Sequence, residues 1–130
     1  MKRILVADDS PATRSLVAAA LLGMETVEVQ RVSTGLEALK VLTESQIDLV
    51  LTDVHMPEIN GIELVRMIKQ GGRTRETPVV MMSTESSDAD RDRSIASGAD
   101  DFLAKPFTAM ELRAVLDKHL NVAKVDKVAD

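Results

Sequence analysis

Short, nearly unbroken apolar runs alternate along the chain with longer stretches in which apolar positions recur every three or four residues. Runs such as "RILVA", "LVLT" and "VVMMS" are what strands look like when both faces are buried and neither has to be polar. With the more alternating "VEVQRV" and the short "FLA", they predict five strands at residues 3–7, 27–32, 49–52, 79–83 and 102–104. The intervening stretches have helical period. "PATRSLVAAALL" puts Leu16, Val17, Ala20 and Leu21 on one stripe, "GIELVRMI" does so with Ile62, Leu64, Val65 and Ile68, and "AMELRAVLDKHL" with Leu112, Val115, Leu116 and Leu120. Two more helices are predicted, one through "LEALKVL" after Ser33, Thr34 and Gly35, the other over residues 88–97. Pro11 suits the first position of a helix capped by Asp9 or Ser10. Five strand–helix alternations predict an α/β fold: a doubly wound, five-stranded parallel sheet with helices on both faces.

Composition narrows the class without changing this picture. A chain of 130 residues, 45% hydrophobic and 28% charged, is long enough to bury a core without disulfides, and it has no cysteine to make one. We expect one domain over residues 1–121 and a polar tail or linker start over 122–130. No run approaches the roughly 20 apolar residues of a membrane helix, and the N-terminus lacks the regions of a leader peptide, so a cytoplasmic protein without membrane insertion is expected. The net charge of -5 and the absence of Trp and Tyr argue against nucleic acid as a partner.

In a doubly wound sheet, ligands bind outside the carboxyl ends of the strands. That rule gathers Asp8 and Asp9 after strand one, Asp53 after strand three, Ser83 and Thr84 after strand four and Lys105 after strand five. Adjacent carboxylates about 4 Å apart repel by roughly 4 kcal/mol at an effective dielectric near 20, so a positive partner is expected between them. Oxygen donors of this kind suit Mg²⁺, with Asp9 and Asp53 binding directly and Asp8 through water. A central carboxylate, a metal, a hydroxyl and an ammonium are also the parts of phosphoryl transfer, which makes Asp53 the natural nucleophile. Taken singly, each part has an ordinary explanation. Pro57 and Asn60-Gly61 are turn chemistry, Lys105 a solvated lysine, Ser83 a small residue at a strand end, His55 a surface side chain and Phe102 core. Compatible chemistry at four strand ends at once favours the site.

The segments "VADDS", "DVHMPEINGIEL", "MMST" and "GADDFLAKPF" resemble the motifs of two-component response regulator receiver domains, most closely the single-domain, CheY-like members that include chemotaxis regulators. The resemblance runs over residues 2–120 and implies a flavodoxin-like (βα)5 fold with strand order 2-1-3-4-5. It implies that Asp53 takes a phosphoryl group from a phosphohistidine of a histidine kinase or phosphotransfer protein. Mg²⁺ would be held by Asp9, Asp53 and the His55 backbone carbonyl, with Asp8 assisting. Ser83 would bind a phosphoryl oxygen, Phe102 would rotate into the vacated space, and Lys105 would pair with the phosphate. The changed surface of a monomer would bind a downstream target protein. His55 and Glu85 would overhang the phosphoryl group and set its lifetime. Thr84 departs from the small Ala or Gly usual after the switch hydroxyl, and should crowd the site. Removing either acid of the Asp8–Asp9 pair should stabilise the metal-free fold. A phosphohydrolase of the haloacid dehalogenase type would need an acid where His55 stands and a substrate-enclosing cap, and a flavin mononucleotide binder a phosphate loop where the two acids stand. It would be a phosphoacceptor signalling domain, catalysing only its own phosphorylation and dephosphorylation.

Overall fold

The computed structural model describes residues 1–22, 24, 26–84 and 88–120. Strands and helices alternate without exception: β1 (Lys2–Ala7), α1 (Pro11–Ala20), β2 (Val27–Val32), α2 (Gly35–Glu44), β3 (Leu49–Asp53), α3 (Gly61–Gln70), β4 (Val79–Ser83), α4 (Asp88–Ser97), β5 (Asp101–Ala104) and α5 (Ala109–Leu120). All four strand pairings are parallel and the order is β2-β1-β3-β4-β5, so the direction of winding reverses beside β1. The elements match the sequence pattern to within a residue at the strand ends. β3 runs one residue further than its apolar run because Asp53 still pairs with Met82 in the ladder. The expected tail at 122–130 lies outside the described residues. No described helix is long and apolar enough to cross a membrane.

Because successive strand side chains face opposite ways, β1 divides itself between two cores. Leu5 and Ala7 join Val50, Met81 and Phe102 under α2 and α3. Ile4 and Val6 join Leu51, Val80, Met82 and Leu103 under α1 and α5. Both faces of the sheet are therefore covered, which is why β1, β3 and β4 read as continuous apolar runs.

Side chains near the carboxyl rim of the sheet start the helices that leave it. Ser10, and not Asp9, caps α1 by accepting the Thr13 N–H, which leaves Asp9 without a capping role. Thr34 with Glu37 and Asn60 with Glu63 form capping boxes at α2 and α3. Thr108 and Glu111 exchange the same two bonds at α5. Caps of this kind contribute roughly 1 kcal/mol each and set where each rim loop ends.

Candidate functional site

The apolar strands β1, β3, β4 and β5 end in polar residues at one rim, and three of these residues meet. The Lys105 ammonium lies 2.6 Å from Asp8 Oδ2 and 3.0 Å from Asp53 Oδ2. Asp8 is buried, 1% exposed, and its other oxygen accepts the Ser10 N–H at 2.7 Å. Asp53 Oδ1 accepts the His55 N–H at 3.0 Å. Backbone contacts hold the ends together. The Lys105 N–H bonds to the Ser83 carbonyl at 2.7 Å, and Gly61 starts α3 so close to β3 that a Cβ there would lie 2.3 Å from the Asp53 carbonyl oxygen. Burial disfavours the Lys105 charge, yet its hydrogen bonds to Asp8 and Asp53 and their negative charge outweigh that and hold the ammonium above its usual range.

The positive group between the acids is thus a lysine of this chain, and the acid that joins Asp53 on it is Asp8. Asp9 is exposed, and among the described residues no three acids or histidines are arranged to hold a metal ion. Of the three carboxylates expected at the site, Asp8 and Asp53 meet on Lys105, while Asp9 is exposed. The donor set still fits Mg²⁺, because two carboxylates share one cation position and Mg²⁺ keeps several waters beside one or two carboxylates.

Ser83 is fully buried at the end of β4, and its hydroxyl donates to Asp90 Oδ2 at 2.8 Å. The same oxygen receives His55 Nε2 at 2.9 Å, while Oδ1 pairs with the Arg93 guanidinium at 2.7 Å. His55, expected over the phosphoryl position, instead reaches across to α4. Burial penalises the Asp90 charge, but the bonds from His55, Ser83 and Arg93 outweigh it and hold the carboxyl below its usual range. Sequence reasoning missed Asp90, since an acid in "DADRDRSIAS" looks like a solvated helix face. The available signal was the i, i+4 spacing of Asp90 and Ser94: these are the buried residues of α4, whereas Ile95 is half exposed.

Thr84 is exposed and lines a cavity of about 480 Å³ together with Asp53, Lys105, Pro106, Phe107 and Leu16. Phe102, implied to rotate inward on activation, already lies inward, buried in the core with the Arg91 guanidinium 5.2 Å from its ring centre. Glu85 lies outside the described residues.

Comparison with known proteins agrees with this architecture. Residues 4–117 match the family model described as response regulator receiver domain. The chain is 42% identical over 114 residues to the transcriptional regulatory protein CpxR of Escherichia coli K12, covering 88% of this chain but 47% of that protein, so it spans about half the length of this relative. It is 29% identical over 129 residues to a chemotaxis protein CheY homolog of Campylobacter jejuni, covering 98% and 99% of the two chains. Among solved structures, the receiver domain of the Pseudomonas aeruginosa sensor histidine kinase PA1611, with a magnesium ion coordinated in its active site cleft, superposes with a TM-score of 0.83 at 26% identity over 92% of this chain and 98% of that one. The chain belongs to the response regulator receiver domain family and is CheY-like, a signalling domain of the two-component class in which phosphorylation is the switch.

Proposed function

We propose that Asp53 accepts a phosphoryl group from a phosphohistidine on a histidine kinase or phosphotransfer protein, and that the altered surface binds a downstream protein. The observation that carries this reading is the Lys105 ammonium between Asp8 and Asp53 at the strand ends. A carboxylate oxygen of Asp53 attacks phosphorus, the phosphorus–nitrogen bond breaks, and the leaving imidazole takes up a proton. Lys105 has three N–H donors, of which two serve the acids, so the third is available to a phosphoryl oxygen. The Asp53 carboxylate, with Asp8, Asp9 and the His55 carbonyl, would hold Mg²⁺, which would supply positive charge against the acids and the phosphoryl oxygens. The Ser83 hydroxyl moves to a phosphoryl oxygen, drawing the end of β4 with it over the already buried Phe102. Thr84 lines the approach to Asp53, and with Glu85 it sets how fast donor and water reach phosphorus. The added charge of about −1.5 to −2 is what biases the two states.

Acetyl phosphate with Mg²⁺ tests the reading. One phosphoryl is expected by mass on Asp53 and none on Asp53→Asn. Wild-type labelling at another residue, or continuous release of phosphate from an unrelated phosphoester, would overturn it.

A further inference from the structure

Among the described residues, the bonds around Asp90 join three separate segments: the end of β4 through Ser83, the loop after β3 through His55, and α4 itself through Arg93. A hydroxyl carries a single proton. While Ser83 donates that proton to Asp90, it has none to donate to an oxygen on Asp53. The acceptor is strong, because Asp90 is 3% exposed and bonds between a donor and a buried carboxylate are about twice as strong as neutral ones. It is also stable without Ser83, since His55 and Arg93 still occupy both of its oxygens. Release of the hydroxyl therefore strands no buried charge.

We propose that Asp90 is a positioning residue that latches the Ser83 hydroxyl in the unphosphorylated form and competes with the phosphoryl group for it. The proposal rests on the phosphoacceptor reading above and adds what sets the threshold of the switch. Occupation of Asp53 must take Ser83 from Asp90, and the exchange moves the end of β4 relative to α4. Strengthening the latch raises the phosphoryl affinity needed to switch the protein; weakening it lowers that requirement.

Beryllofluoride, which occupies the place of a phosphoryl group on a carboxylate, provides the test with Mg²⁺ present, its binding followed by amide NMR. Asp90→Ala should lower the half-saturating concentration about tenfold, the worth of one charge-assisted bond. Asp90→Asn keeps the shape and a neutral acceptor, so about threefold is expected, and it carries the test if the alanine variant does not fold. In a Ser83→Ala background both substitutions should have no effect, because there is no hydroxyl to release. A purely structural role for Asp90 would act equally in both backgrounds, and that result would overturn the latch. So would a half-saturation that Asp90→Ala leaves unchanged or raises in protein that retains Ser83. If wild-type protein does not bind beryllofluoride at Asp53, the phosphoacceptor reading fails and the latch with it. Binding with the same half-saturation in wild type and Asp90→Ala removes the latch alone.

Discussion

Replacing Lys105 by Met keeps the length and apolar stem of the side chain and deletes the one ammonium that lies between Asp8 and Asp53. Its side chain is 10% exposed, and those of Asp8 and Asp53 are 0% and 14% exposed, so water does not take over its part. At about 3 Å and an effective dielectric near 20, each ion pair attracts by about 5 kcal/mol, part of which is offset by the cost of desolvating the ammonium. Removing one partner of such a buried arrangement leaves unneutralised charge, and the expected net loss is about 3–5 kcal/mol at pH 7 without metal. With an m-value near 1.5 kcal/mol/M, the urea midpoint should fall by roughly 2–3 M. The sign of a second substitution makes the test specific. In wild type, Asp8→Asn removes a partner of Lys105 and should destabilise; in Lys105→Met it removes one of two repelling acids and should stabilise. The pH dependence has its own sign. The folded-state pKa of Lys105 is raised above 10.5, so its contribution is complete below that value and is lost as pH rises through the folded value; Lys105→Met should lack this alkaline loss. A midpoint shift below 0.5 M, or Asp8→Asn acting with one sign in both backgrounds, would refute the reasoning.

Three further outcomes follow from the same geometry. Metal-free Asp8→Asn should melt at a lower temperature than wild type, reversing the expectation from repulsion alone, whereas the exposed Asp9→Asn should stay within about 0.5 kcal/mol; calorimetry separates the two. Thr84→Ala should speed both labelling by acetyl phosphate and loss of the label, followed by mass spectrometry because the chain has no Trp, with stability changed by no more than about 1 kcal/mol; unchanged rates would show that its side chain does not obstruct Asp53. Burial disfavours the Asp101 charge, but the bonds from His119 and the Phe102 N–H, with Lys118 nearby, hold its carboxyl below the usual 3.8. Its contribution is therefore present above the unfolded-state value and lost as pH falls through the folded one; Asp101→Asn should lower stability at pH 7 by about 1 kcal/mol and flatten the acid limb of a urea-midpoint series.

The order of elements was legible in the sequence because it is a matter of local period. Apolar runs buried on both faces mark β1, β3 and β4, and three-to-four-residue stripes mark α1, α3 and α5. The rim residues Asp8, Asp53, Ser83 and Lys105 were legible too, since each directly follows or ends a strand and a parallel sheet places those ends together. Which of these groups touch is a different kind of fact. Asp8 and Lys105 are 97 residues apart, and only the packing of β5 beyond β4 decides that the ammonium lies between Asp8 and Asp53 while Asp9 faces out. Asp90 shows the limit most plainly. Its helix is so polar that no apolar stripe announces its inward side, and its bonds to Ser83 and His55 exist because α4 packs against α3 and β5 in the folded chain. Local pattern determines elements through the period of burial; the partners of a buried charge are set by distances between elements, which no single segment of sequence contains.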